Sequence, residues 1–161
     1  MLNIRHFLPA ATLLVAISSS ANAAIVVYTS QGLWNSAVAN AGLAVETETF
    51  NQVADGVHAS PFGGSTASVA WSASASEGLF AQDGVLSTNA PETLTFTFTP
   101  GVRAVAGNFF GTDIDFNNAS VIFTVALSNG TSYTGEASSP ASFTGFRSTT
   151  AATISSLSID V

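Results

Sequence analysis

Lysine and cysteine are both missing from this chain, and arginine occurs only at positions 5, 103 and 147. Three scattered cations beside ten carboxylates cannot neutralise a run of phosphates, which excludes DNA, RNA and anionic lipid surfaces as partners. Without cysteine there is no disulfide framework, no thiolate nucleophile and no sulfur-ligated zinc. Charge of either sign is scarce, at 8% of 161 residues and a net −7. What is present is apolar: 47% hydrophobic residues, twelve of them Phe, with a mean hydropathy of +0.41. That is enough apolar surface to close a core.

Arg5 and His6 precede an apolar run, Phe7 to Ile17, followed by Ser18-Ser19-Ser20 and Ala21-Asn22-Ala23. A basic start, a short apolar stretch and a small-residue site read as a secretory signal peptide over residues 1–23, with Ala24 the first mature residue. The eleven-residue run falls short of the roughly 20 residues that span a bilayer, and no later stretch is long and apolar enough. The expected mature chain is a single domain over residues 24–161, carrying Arg103, Arg147 and all ten carboxylates. A domain of this size can bury a core without covalent staples. Export to the periplasm, the cell surface or the medium follows, with no transmembrane anchor.

Along the mature chain, apolar and polar residues alternate with period two, the pattern of a strand with two unlike faces. Leu94, Phe96 and Phe98 oppose Thr93, Thr95, Thr97 and Thr99; Val121, Phe123, Val125 and Leu127 oppose Ile122, Thr124, Ala126 and Ser128. Asn129-Gly130 then leads into Thr131 to Thr134, which predicts a type I′ hairpin. Further strands are predicted at Ile25 to Tyr28, Leu43 to Phe50, Ala67 to Ser74, Gly78 to Gln82, Val102 to Phe110, Ser142 to Arg147 and Thr153 to Val161. In the last, the apolar parity changes between Ile154 and Leu157, which predicts a bulge. Turns are expected at Asp55-Gly56, Gly63-Gly64, Asp83-Gly84 and Pro100-Gly101. One helix is expected, Ser30 to Ala41, capped by Ser30, closed by Gly42 and striped by Leu33, Trp34, Ala37, Val38 and Ala41. The fold class is all-β, an antiparallel β-sandwich or jelly roll with one short N-terminal helix.

The order of these segments, YTSQGLWNSAVANAG, VETETFNQVADG, LTFTFTPGVRAVAGNFFGTDIDFN, VIFTVALSNGTSYTG, SFTGFRS and ATISSLSIDV, resembles the secreted β-sandwich domains of PEP-CTERM (exosortase-sorted) bacterial proteins. The resemblance covers the mature chain and rests on packing patterns in sequence order. It implies export by a Gram-negative, matrix-forming bacterium and no defined biochemical activity. Such proteins carry a C-terminal tail with a Val-Pro-Glu-Pro-like motif, an apolar span and a basic end, a pattern that these residues lack.

Reactive side chains are few. A Ser-His-Asp arrangement needs an imidazole, and the mature chain offers only His58, in a turn-like stretch with no Gly-x-Ser-x-Gly elbow. Oxygen ligands suit a hard cation better than zinc. Glu46 and Glu48 on an entry strand and Asp160 on the terminal strand are similar to the structural calcium site of carbohydrate-binding jelly rolls; the bland alternative is a pair of solvent-facing glutamates on an edge strand. Asp113, Asp115 and Asn117 form a second candidate, with the start of an EF-hand loop but neither its glycine nor its distal glutamate; the alternative is a loop of Asx turns. Among aromatics, Trp34 and Trp71 fall on apolar faces and read as core, leaving Tyr133 as the exposed candidate for a ligand such as a sugar. The expected function is a noncatalytic exported structural or interaction module, associated with the cell surface or extracellular matrix, with polysaccharide or matrix proteins as partners and no organic cofactor. The alternative is a glycan-binding module with structural calcium; a carboxylate-based hydrolase comes third.

Overall fold

The computed structural model describes residues 24–88, 90–113, 115, 117–137 and 143–160. The expected signal peptide, Ser142 and Val161 lie outside them. In chain order the elements are β1 (Ile25–Tyr28), α1 (Gln31–Asn40), β2 (Gly56–His58), β3 (Phe62–Ser65), β4 (Ala70–Ser74), β5 (Leu79–Gln82), β6 (Val85–Thr88), β7 (Leu94–Phe98), β8 (Ala104–Asn108), β9 (Gly111–Thr112), β10 (Asn118–Ala119), β11 (Val121–Leu127), β12 (Ser132–Ala137), β13 (Phe143–Ser148) and β14 (Ile154–Asp160). Among the described residues no helix is long and apolar enough to cross a membrane.

The chain forms an all-β antiparallel sandwich with one short helix. One layer is a six-stranded sheet in the order β12-β11-β14-β7-β4-β3. Facing it are two three-stranded sheets, β1-β13-β8 and β2-β5-β6, with β9 and β10 forming a small separate ladder. The period-two reading holds in the large sheet: Val121, Phe123, Val125 and Leu127 are buried, as are Leu94, Leu157 and Ile159, while the intervening residues face outward. Phe146 of the small sheet meets Phe123 edge-on at 5.7 Å, and Ile25, Leu79, Ala81 and Leu86 join the same core cluster. Burying a large apolar side chain of this kind stabilises the fold by about 1.5–3 kcal/mol each, which is what holds the layers together.

The expected bulge is present. Ala126 faces Ser156 but Leu127 faces Ile154, so Ser155 is the extra residue, and its hydroxyl donates to the Ala126 carbonyl at 3.1 Å. The β11–β12 hairpin also lies where expected, but with a different turn. Gly130 N–H donates to Leu127 O (3.0 Å), Leu127 N–H donates to Thr131 O (2.8 Å), and Gly130 alone takes a positive φ of 84°. This is a three-residue loop with glycine at the left-handed position, because Ser128 belongs to the turn and not to the strand. The I′ signature, two successive positive φ values, occurs instead at Asp83 (50°) and Gly84 (76°), joining β5 to β6.

Helix α1 begins at Ser30, whose hydroxyl accepts from Leu33 N–H, and ends with Gly42 at φ 69°. Leu43 N–H reaches Val38 O and Gly42 N–H reaches Ala39 O, the paired hydrogen bonds of a Schellman end. Trp34 and Val38 are buried against the outer side of the small sheet; Leu33, expected in the stripe, is 67% exposed. Trp34 fits there because Gly145 of β13 has no side chain: a Cβ at that position would sit 2.4 Å from Trp34 Cδ1.

Two segments depart from expectation. Leu43 to Phe50 alternates like a strand but pairs with no strand among the described residues and crosses the molecule as an extended strap. Gly63-Gly64, expected as a turn, lies inside β3, where Gly64 pairs with Trp71. A Cβ at Gly64 would lie 2.6 Å from the Trp71 ring, so the glycine admits the indole.

Candidate functional site

Among the described residues the two small sheets do not pair with each other, and a cleft of about 1640 Å³ runs from the inner face of the large sheet past β8 to Trp34 and Val38 on the helix side. Its floor is the inner face of the large sheet, with Trp71, Phe96, Phe98 and Leu157; Leu86 of β6 and Val105 of β8 stand on opposite flanks. Close packing leaves few interior voids larger than a water molecule. Here Phe50, Phe96, Phe98, Val102, Val105 and Phe109 pack on the core yet remain only half-buried.

Residues 43–50 form the strap along this cleft. Glu46, Glu48 and Phe50 are half-buried, whereas Val45 is 51% exposed, the reverse of the usual solvent preference. Hydrogen bonding explains it. The Glu46 carboxylate accepts from the hydroxyls of Thr66 and Ser68 and from Ser68 N–H (2.9 Å). Ser68 chiefly, then Thr66, holds its pKa down from the ordinary 4.5 to about 2. Glu48 accepts from Thr49 N–H (3.0 Å) and Phe50 N–H (2.9 Å) through Oε1, and from Trp71 Nε1–H (3.1 Å) through Oε2. The Phe50 backbone takes φ 55°, and its ring meets Trp71 edge-on at 5.4 Å. Next to it, Gly84 leaves room for Thr49 O and Asn51 Oδ1, so the strap's end is seated on the β5–β6 turn.

The calcium grouping Glu46, Glu48 and Asp160 is not assembled. Asp160 accepts from Thr93 (2.9 Å), just before β7, whereas Glu46 is bound to Ser68, beside the far end of β7 where Ala70 N–H meets Thr99 Oγ1. At about 3.3 Å per residue the length of β7 separates them by roughly 20 Å. Neither glutamate stands free on an edge strand: both are half-buried and hydrogen-bonded, Glu46 to Thr66 and Ser68 and Glu48 to Trp71. In the second grouping, Asp113 Oδ1 accepts from the backbone N–H of Asp115 and Asn117, both 2.9 Å, and the Asn117 amide donates to the same carboxylate. These hydrogen bonds, led by the Asn117 side chain, lower the Asp113 pKa. The Asn117 amide presents nitrogen, not oxygen, to the loop, which is an Asx-turn geometry. Among the described residues no three His, Asp or Glu side chains cluster closely enough to hold a metal ion.

Tyr133 is half-buried. Its ring lies 5.9 Å from Phe146 and its hydroxyl sits over Gly135, so it packs on the core. Trp34 and Trp71 are buried as expected. His58 lies on β2 and not in a loop; Nε2–H donates to Ala54 O (2.7 Å) and the ring lies 4.7 Å from Phe62. With Glu48, Gln52 and Trp71 it lines a smaller pocket of about 390 Å³. The strap was invisible in the sequence because its alternation matches a strand; only the partners of Glu46 and Glu48 reveal its role.

A second surface stands out on the opposite side of the large sheet. Register places Ser74, Thr95, Ser158, Thr124 and Thr134 in one row across five strands, and Gly63, Ser72, Thr97, Ser156, Ala126 and Ser132 in the next. Thr95 and Ser158 share a 3.0 Å hydrogen bond, and Thr124 and Thr134 lie 3.5 Å apart. Neither row holds a charge; Glu136 and Asp160 come only in the row beyond, flanking Ile122.

No family model, curated protein or solved structure matches this chain.

Proposed function

We propose that the chain is an exported, noncatalytic interaction module that works at the cell surface or in the extracellular matrix of a Gram-negative bacterium. The observation that carries this reading is the uncharged hydroxyl face: two rows across the large sheet that are Ser and Thr except at Gly63 and Ala126, each hydroxyl able to donate and to accept. Adjacent rows are spaced by two residues along a strand and adjacent columns by about 4.8 Å, giving many weak, regularly placed hydrogen bonds to a neutral hydroxylated polymer. The carboxylates support the same reading. Glu46, Glu48, Glu92 and Asp113 are engaged as acceptors that tie loops together, with Glu92 holding Ser76 and Glu77.

Expression of the full chain in a Gram-negative host tests the proposal. The exported protein is expected to begin at Ala24 and to co-sediment with an insoluble neutral polysaccharide, with binding unchanged as salt is raised, because no ion pair is involved. Thr95→Lys and Thr124→Lys, both outward-facing, should abolish that binding with little loss of melting temperature. Retention in the cytosol with the leader attached would overturn export, and sedimentation insensitive to both substitutions would overturn the face.

A further inference from the structure

We propose that the cleft between the sheets is a binding site for a neutral lipid, an elongated apolar molecule carrying an uncharged ester or amide carbonyl. Three observations lead there. The first is volume and chemistry: about 1640 Å³ bordered by Phe50, Phe96, Phe98 and Phe109, all packed on the core yet half-exposed. Apolar surface left open in this way is stabilised by an apolar occupant.

The second is charge. Among the described residues the lining includes Glu46, Glu48, Glu92 and Asp113 but a single cation, Arg103, so an anionic headgroup meets net repulsion. Those four carboxylates already accept hydrogen bonds from Thr66 and Ser68, from Trp71, from Ser76 and Glu77, and from Asn117. These donors occupy the carboxylate lone pairs, so a cationic headgroup would meet negative charge but no free acceptor to hold it. The occupant that fits is uncharged.

The third is Arg103 itself. Its terminal nitrogen donates to Thr150 O at 2.8 Å, but its buried Nε has no hydrogen-bond partner among the described residues. A buried N–H left unpaired costs free energy that one acceptor recovers. Arg103 lines the cleft, and a shift of its side chain would bring Nε to the carbonyl oxygen of a neutral ester or amide, an acceptor that adds no negative charge. The strap then covers the occupant, held by the Glu46 and Glu48 hydrogen bonds and by the Phe50 ring.

The probe is N-phenyl-1-naphthylamine, a neutral apolar fluorophore, added to the exported protein. Saturable binding of one equivalent is expected, with quenching of the fluorescence of Trp34 and Trp71, which both line the cleft, and displacement by monoolein. Oleate at a pH where it is ionised should displace the probe about tenfold less well. Val105→Trp and, separately, Leu86→Trp fill the cleft from opposite flanks, and either should weaken probe binding by about tenfold or more in a protein that still melts cooperatively. Probe uptake that does not saturate, or that survives both substitutions in folded protein, would overturn the site. Oleate competing as well as monoolein would overturn the assignment to a neutral ligand. Neither result depends on the hydroxyl face, which lies on the other side of the sheet.

Discussion

Gly145 shows how much of this fold depends on an absent side chain. Trp34 lies directly against the β13 backbone there, with its Nε1–H donating to Phe146 O at 3.3 Å and its ring meeting Phe143 edge-on at 6.0 Å. In Gly145→Ala the new Cβ would start 2.4 Å from the indole, so helix and strand must part. The expected cost is about 1–3 kcal/mol, read as a fall in melting temperature, and it should shrink when Trp34→Leu is combined with it. Gly32→Ala is the control: the nearest atom to its Cβ is 3.9 Å away, and stability should be unchanged or raised. The sequence alone distinguishes these two glycines poorly. Gly64 and Gly145 each lie under an aromatic ring contributed by another element, and a glycine's own neighbours in sequence do not reveal such a ring, whereas the ring over Gly135 is that of Tyr133, two residues earlier on the same strand.

Among the elements, the strap is the one whose stability is tied to protons. Glu46 would titrate near 4.5 in the unfolded chain and is held to about 2 in the fold, so the fold binds the deprotonated form better. The stabilisation is therefore complete above pH 4.5 and is lost as the pH falls toward 2. The pKa values of Glu92 and Asp113 are lowered as well, Glu92 mainly by the Ser76 hydroxyl, and they add losses of the same sign. Melting temperature should hold steady from neutral pH to about pH 5 and decline below it. Glu46→Gln should begin lower at neutral pH and decline less steeply. A parallel shift of the whole curve would mean that Glu46 contributes nothing through its charge.

The elements also mark how far the sequence could be read. Strands such as β7 and β11, flanked by partners on both sides, display their two faces as clean alternation, and the parity change at Ile154 to Leu157 correctly announced the bulge. Leu43 to Phe50 has the same alternation for another reason: its inward residues are carboxylates that bind loops across the molecule, and no ladder forms. Asn129-Gly130 marked the right hairpin but the wrong turn, since whether Ser128 belongs to the turn is decided by pairing with Thr131. Glu46 and Asp160 do not meet because they approach opposite ends of β7, which the spacing of residues along the chain does not reveal.

For the molecule as a whole, the two layers are unequal. Residues Val121 to Leu127 sit between two long neighbours in the large sheet, while the facing layer is divided into two short sheets whose only common support is the core beneath them. Loss of structure is therefore expected to proceed from one side. Amide hydrogens of β11 and β14 should exchange last, through global unfolding, and those of β6 and β8, which border the cleft, should exchange earlier by local opening. A bound occupant bridging β6 and β8 would slow exchange in both strands together. The gap between the two short sheets thus makes the protein's own breathing motion a reporter of whether the cleft is filled.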